Sequence, residues 1–148
     1  MQATTPPKEL TFHAQGVGRP GGTAVLSTRD TLIEGDGKPG PSDTLPGPGD
    51  LLGVAFAECA LKNAVGFSHK TGFTYEEMTF DISVVKVVNP PHIRKIEYAI
   101  TVVTDEPDER VDALHENLRS IGTLYNTLIK ACEITGEIHV VHPAAAEH

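Results

Sequence analysis

Two cysteines are the residues of this chain best suited to chemistry. Cys59 and Cys132 lie far apart in the sequence, outside any CxxC pair or four-ligand zinc spacing. A free thiol either packs inertly in a core or, once deprotonated, acts as a nucleophile. The chemistry to test for in this chain is therefore nucleophilic or redox chemistry at a thiol.

Other reactive residues form no recognisable pattern. The seven histidines are scattered, and His139 and His142 have an odd spacing that sends strand side chains to opposite faces. The glycine-rich segments lack the P-loop spacing, and neither an HExxH nor a GxSxG motif occurs. We therefore predict no metal, no cofactor and no serine nucleophile.

Composition narrows the classes of partner. The chain has 148 residues and a net charge of −8, which disfavours nucleic acid and anionic membrane surfaces. No uncharged apolar run reaches the roughly 18 residues of a membrane span. The first ten residues are polar and contain two prolines, unlike a signal peptide. We predict a cytoplasmic protein without nucleic-acid or membrane partners.

The element that must position Cys59 is a long apolar helix. Pro48 suits a first helical turn, Asp50 places a negative charge at the positive end of the helix dipole, and Gly72 is a natural stop. Leu52, Phe56 and Cys59 share one face of this helix. A helix apolar on nearly all sides needs more cover than a chain of this length provides. We therefore predict a homodimer with this helix at the interface.

The remaining elements predict an α+β protein of one domain, residues 1–148, with flexible tails at 1–9 and 143–148. An antiparallel sheet packs against helices on one face. The predicted elements, in order, are short strands at Leu10–Ala14, Thr23–Ser27 and Thr31–Ile33, a loop over Gly35–Asp50, the helix, a hairpin of strands around Met78–Val84 and Ile96–Val102, helices from Asp105 to Cys132 ended by Gly136, and a strand at Glu137–Val141.

A reactive Cys59 needs a cation from outside its own helix. Burial raises the pKa of a thiol, and the helix dipole acts only within the first turn, which Cys59 lies beyond. Arg19 and Arg29 are the only arginines in the N-terminal half, and glycines around Arg19 allow close backbone approach. From the residues alone, an inert, packed thiol is the favoured interpretation, and a reactive Cys59 is the alternative.

Residues 47–59, GPGDLLGVAFAEC, resemble the segment of the OsmC/Ohr family that begins a helix at a proline and runs into a peroxidatic cysteine. Residues 16–22, GVGRPGG, resemble that family's glycine-flanked arginine turn. The resemblance implies an intertwined homodimer with antiparallel sheets around long central helices. It also implies thiol-dependent reduction of organic hydroperoxides by Cys59, activated by Arg19.

Two positions depart from the family pattern. Gly49 stands where the family has the glutamate that partners the arginine, so Asp50 is the nearest substitute. Gly122 stands where the family has its resolving cysteine, and Cys132 lies some ten residues further on. The resemblance therefore implies a one-cysteine enzyme that is reduced by an external thiol, with Cys132 as a less favoured resolving residue.

Two functions follow from these residues. The favoured hypothesis is a cysteine-dependent peroxidase of the oxidative stress response, whose pocket of Leu52, Phe56 and Phe67 accepts a small hydrophobic peroxide. The alternative is a non-catalytic OsmC-like protein that binds a small apolar ligand at the dimer interface, with an unreactive thiol.

Overall fold

The computed structural model describes residues 5–144, which form two compact units divided between Gly47 and Pro48. Each unit has its own sheet, and each is described separately below. The predicted flexible tails, 1–9 and 143–148, lie partly outside the described residues.

The first unit is an antiparallel meander of β1 (Gln15–Gly18), β2 (Ala24–Thr28) and β3 (Thr31–Gly35). The prediction of a first strand at Leu10–Ala14 is wrong. Gly18 pairs with Ala24, so the β1–β2 ladder begins directly at the turn and reaches back only to Gln15. The apolar residues of 10–14 remain exposed instead of pairing in the sheet.

Arg19 begins the turn that joins β1 to β2. The Gly22 N–H donates to the Arg19 carbonyl at 3.0 Å, and Gly21 has φ +75°. Proline at the second position and a positive-φ glycine at the third are the pattern of a type II turn. The sequence GRPGG thus fixes the backbone that carries Arg19.

The second unit places helices against a three-stranded sheet. Its elements are α1 (Pro48–Thr71), β4 (Glu77–Val87), β5 (His92–Val103), α2 (Asp108–Ile121), α3 (Thr123–Leu128) and β6 (Glu133–Val141). The predicted α+β class is confirmed. However, β6 runs parallel to β5, so this sheet is mixed. A parallel neighbour requires a crossover of a dozen or more residues, which α2 and α3 provide.

Helix α1 begins at Pro48 and ends before Gly72, which has φ +71° and closes the last turn by donating to the Ser68 carbonyl at 2.9 Å. Both limits agree with the sequence prediction. One face of α1 packs against β4, α2 and α3. Only Phe56 and Ala64 of α1 are buried, because the described elements of this unit pack against one face of the helix.

The other face of α1 is apolar and is not covered by the described elements of this unit, with Val54 66% and Val65 45% exposed. By length and composition alone, α1 could cross a membrane. It carries Glu58 and Lys62 near its middle, and a charged side chain at a bilayer centre costs about 2.5–3.5 kcal/mol. This composition fits packing against protein better than packing against lipid.

The β4–β5 hairpin has the predicted alternation, with one face buried under the helices. The residues it contributes to the core include Met78, Ile96, Tyr98, Ile100 and Val102. Strand β6 begins at Glu133, four residues before the predicted start, and Gly136 lies within it. The prediction that Gly136 ends a helix is therefore wrong. A Cβ at Gly136 would overlap the Tyr98 ring, so glycine here makes room for that ring.

A polar network fixes the start of α2. The Glu106 carboxylate accepts a hydrogen bond from the Thr74 N–H at 2.8 Å and pairs with Arg110 Nε at 2.6 Å. The Thr104 hydroxyl, 1% exposed, donates to the Thr74 carbonyl at 2.6 Å. Arg110 also lies over the Phe73 ring, 5.8 Å from its centroid. These contacts tie α2 to the segment that follows α1.

Candidate functional site

Cys59 lies at a small cavity between α1, the hairpin and the two helices that follow it. The volume is about 20 Å³, which accommodates a single water molecule. Its walls are mainly apolar. The lining residues are Phe56, Cys59, Ala60, Asn63, Phe80, Tyr98, Ile100, Leu118, Arg119, Gly122, Leu124 and Tyr125.

The Cys59 thiol is half-buried and has one polar neighbour on its own helix. Asn63 follows one turn later, and its Nδ2 donates to Cys59 Sγ at 3.7 Å. In this contact the amide N–H is the hydrogen-bond donor and the sulfur is the acceptor. Spacing i, i+4 on α1 is what brings these two side chains together.

Tyr98 and His115 form a hydrogen-bonded pair at the wall of this cavity. Tyr98 Oη lies 2.8 Å from His115 Nε2, and the rings meet edge to face with centroids 5.8 Å apart. Burial raises the pKa of Tyr98, so its phenol stays protonated at neutral pH. Burial, and then the Arg119 charge, lower the pKa of His115, so its imidazole is neutral there. The pair carries no net charge at neutral pH.

Arg119 is the one permanent cation among the residues that line the cavity. It lies on the last turn of α2, and its Nη2 pairs with Glu116 Oε2 at 2.9 Å. Glu116 is 70% exposed and Arg119 44% exposed, so solvent weakens this pair. Within residues 5–144, Glu116 is the only hydrogen-bonded partner of the guanidinium.

The residues predicted for the pocket are distributed over three places. Phe56 lines the cavity with Cys59. Phe67 packs against Phe73, with ring centroids 5.7 Å apart, towards the end of α1. Leu52 is half-buried near the start of α1 and is not among the lining residues. The cavity is therefore built more by β5, α2 and α3 than the sequence suggests.

Arg19, predicted to activate Cys59, and Asp50, predicted to support it, lie in different segments of the chain. Arg19 belongs to the first unit, in the turn after β1. Asp50 lies in the first turn of α1, beside a surface groove that Gly53 and Val84 also line. Gly49 stands where the family that the sequence resembles has a glutamate, and a Cβ at this position would meet open space.

Neither position considered for a resolving cysteine presents a thiol to the cavity. Cys132 is half-buried behind the end of α3, where its Sγ donates to the Leu128 carbonyl at 3.4 Å. Gly122 does line the cavity, but a Cβ there would lie 2.6 Å from the Leu118 carbonyl oxygen. A cysteine at this position would force the backbone to move.

The polar wall of the cavity was not predicted from the sequence; Tyr98 and Arg119 line it, and His115 is hydrogen-bonded to Tyr98. A signal was present, since His115 and Arg119 have i, i+4 spacing and flank the apolar face that Leu118 continues. Recognising the wall also required knowing that β5 passes beneath α2. In the part of the chain from 5 to 144, no cluster of metal-binding side chains is found.

Comparisons with known proteins point to a single family. The sequence model of the OsmC-like protein family matches residues 40–137. Among solved structures, an OsmC-like protein from Mycoplasma pneumoniae is 16% identical with a TM-score of 0.83, covering 91% of this chain and 100% of that one. An organic hydroperoxide resistance protein from Legionella pneumophila is 16% identical with a TM-score of 0.73, covering 90% and 100%.

An OsmC-like protein of unknown function from Vibrio cholerae is also similar, at 13% identity and a TM-score of 0.76, covering 88% of this chain and 100% of that one. At these identities the likeness concerns the fold. A search of curated protein sequences gives no significant match.

Proposed function

This chain belongs to the family of OsmC-like proteins, and we propose that it reduces organic hydroperoxides through Cys59 as a one-cysteine peroxidase. The observation that carries the proposal is the placement of Cys59. Its sulfur accepts a hydrogen bond from Asn63 beside a largely apolar cavity that Arg119 also lines. Some structural relatives are organic hydroperoxide resistance proteins.

The proposed reaction is a displacement at oxygen. The Cys59 thiolate attacks the terminal oxygen of ROOH, an S–O bond forms, the O–O bond breaks, and the electron pair leaves on RO⁻. The products are the sulfenic acid of Cys59 and, after the alkoxide takes up from water the proton that the thiol released, the alcohol ROH. Two molecules of an external thiol then restore Cys59 and leave as their disulfide, with water as the second product.

An external reductant fits the surroundings of the second cysteine. Cys132 Sγ donates to the Leu128 carbonyl, and Cys132 does not line the Cys59 cavity. The position that resembles the family's resolving cysteine is Gly122, whose backbone has no room for a Cβ. The sulfenic acid of Cys59 is therefore reduced from solution.

Arg19 activates the thiol in this proposal, and a second copy of the chain completes the fold. The uncovered apolar face of α1 supports a homodimer, because exposed Val54 and Val65 would be buried by a partner.

Replacing Arg19 by Gln should slow alkylation of Cys59 by iodoacetamide, while Arg19→Lys keeps most of the rate. Unchanged alkylation in Arg19→Gln would remove Arg19 from the mechanism. The protein works in the cytoplasm, where thiol reductants are available.

The size of the cavity sets a condition on the substrate. A volume of about 20 Å³ holds one water, so the body of an organic peroxide requires a wall to move. Helix α3 is the wall with the weakest anchorage, since none of its six residues is buried. Movement of α3, which carries Leu124 and Tyr125, opens the cavity in this proposal.

Peroxide consumption by purified variants tests the proposed function. With cumene hydroperoxide and a dithiol reductant, wild type and Cys132→Ser should turn over, and Cys59→Ser should lose activity. The Cys132 variant serves as the matched control, because it removes the other thiol of the chain. Equal consumption by wild type and Cys59→Ser would refute a peroxidase centred on Cys59.

The second candidate function is binding of a small apolar ligand without catalysis. The absence of a glutamate at Gly49 and of a cysteine at Gly122 favours it. Native mass spectrometry of the purified protein separates the two functions. A retained small molecule together with Cys59 inert to iodoacetamide would support the binding protein and contradict the peroxidase.

A further inference from the structure

We propose that Arg119 stabilises the negative charge on the leaving oxygen when Cys59 cleaves a peroxide. The inference deepens the proposed peroxide reduction and rests on it. It assigns to the last turn of α2 a catalytic residue additional to Arg19, with a separate task in the reaction.

Arg119 lies on a different wall of the cavity from the Cys59 sulfur, which attacks the peroxide oxygen. A displacement at oxygen runs in line, so the leaving oxygen lies on the side of the reacting oxygen opposite the sulfur. Cys59 and Asn63 occupy the α1 wall of the cavity, whereas Leu118 and Arg119 belong to α2. A peroxide attacked from α1 thus develops its negative charge towards the remaining walls, which include Arg119.

The negative charge of the leaving oxygen needs stabilisation in this cavity. RO⁻ is a strongly basic anion, and a cavity with mainly apolar walls gives it little solvation. The neighbouring Tyr98 and His115 form a neutral pair, and Arg119 is the permanent cation of the lining. The charge of Arg119 acts on this pair: burial raises the pKa of Tyr98 and the Arg119 charge opposes that rise, while burial and then the Arg119 charge lower the pKa of His115.

The guanidinium of Arg119 is also available to bind a leaving oxygen. Arg119 presents five N–H donors, and its recorded partner is the exposed carboxylate of Glu116, bonded through Nη2. A pair so open to solvent contributes little and yields easily to a competing oxyanion. The guanidinium therefore has donors to offer a leaving oxygen without breaking the fold.

Two reactions of Cys59 separate stabilisation of the leaving oxygen by Arg119 from the reactivity of the thiol itself. In a single turnover with tert-butyl hydroperoxide, Arg119→Gln should slow oxidation of Cys59 about 100-fold, the effect of removing one oxyanion donor. Alkylation of Cys59 by iodoacetamide expels iodide and forms no alkoxide. Its rate in Arg119→Gln should therefore differ from the wild-type rate by less than about twofold. Arg94→Gln, the same change at an exposed arginine of β5, should leave both rates at the wild-type level.

The identity of the leaving group gives a second readout. Peracetic acid expels acetate, a weak base that needs little stabilisation, so Arg119→Gln should slow its reaction much less than that of tert-butyl hydroperoxide. Arg119→Lys should recover part of the lost rate. Neither result follows from a merely structural role.

Two outcomes would overturn the inference and leave the proposed function intact. One is oxidation in Arg119→Gln that is as fast as in Arg94→Gln. The other is a fall of oxidation and alkylation by the same factor, which would place Arg119 on the thiol or on the fold. A wild-type protein whose Cys59 resists every peroxide would instead refute the proposed function itself, and this inference with it.

Discussion

Helix α2 carries an arginine near each end, and the two have very different surroundings. Arg110 pairs with Glu106, whose side chain is 13% exposed, and also donates to the Thr71 carbonyl and lies over Phe73. Arg119 pairs with Glu116, whose side chain is 70% exposed, and lines the Cys59 cavity. The first arginine is held by structure, and the second is free to act on a ligand.

The contrast shows that the same residue type on the same helix serves stability at one end and chemistry at the other. At the start of α2, Oε1 of Glu106 accepts a hydrogen bond from the Thr74 N–H, and Oε2 forms an ion pair with Arg110 Nε. At the end of α2, Arg119 is one of the residues that line a mainly apolar cavity. Variants at the two ends should therefore separate folding from reactivity.

The largest effect on stability should come from the buried hydroxyl at the start of α2. Thr104→Val removes the donor to the Thr74 carbonyl and the acceptor of the Glu106 N–H, at a cost of about 1–3 kcal/mol in the free energy of unfolding. Urea unfolding measures this loss, with exposed Thr79→Val as the control. The rate of Cys59 oxidation in the folded protein should not change. A lower rate of Cys59 oxidation in fully folded Thr104→Val would mean that the two ends of α2 are coupled.

Enlarging the cavity should alter selectivity between peroxides. Leu124→Ala removes a half-buried side chain from the α3 wall. The rate of Cys59 oxidation by cumene hydroperoxide, relative to that by hydrogen peroxide, should therefore rise about tenfold, or about 1.4 kcal/mol. Single-turnover oxidation of Cys59 by each peroxide gives the ratio. The exposed α3 residue Thr127, replaced by Ala, is the control. An unchanged ratio in Leu124→Ala would show that α3 does not limit entry.

The carboxylate that pairs with Arg110 should make the stability of the protein sensitive to acid. The Thr74 N–H, followed by Arg110, holds the pKa of Glu106 below its ordinary value of 4.5. Its contribution to stability is therefore complete above pH 4.5 and is lost as the pH falls through the lowered value. Glu106→Gln should flatten the fall of the urea midpoint in that acidic range. A wild-type slope in this variant would assign the acid sensitivity to other groups.

The smallest effect should be found at Glu116. Replacing it by Gln removes an exposed ion pair and should change the free energy of unfolding by less than about 1 kcal/mol. Oxidation of Cys59 should be as fast as in wild type or faster, because Arg119 loses a competitor. A marked slowing in Glu116→Gln would mean that the pair positions Arg119 for the reaction.

Local patterns were enough to predict much of this fold. Proline at 48 and glycine at 72 delimited α1, and strict alternation identified both strands of the hairpin. These signals are strong because each depends on the backbone conformation or packing of its own segment. Cys59 could be placed on its helix for the same reason.

Contacts between distant segments were not accessible in the same way. Gly136 resembled a helix stop, and only the position of the Tyr98 ring explains its place inside β6. Arg119 lines the cavity together with Tyr98, and the contact of α2 with Tyr98 of β5 joins segments that are distant in the sequence. Cavities arise where elements meet, so the spacing within a single element does not reveal their lining.

Direct detection of the oxidised sulfur tests the account most directly. After one equivalent of cumene hydroperoxide, wild-type and Cys132→Ser protein are trapped with dimedone, and the labelled peptide is identified by mass spectrometry. The account predicts one label per chain, on Cys59. A label on Cys132, or none while Cys59 remains a free thiol, would contradict it.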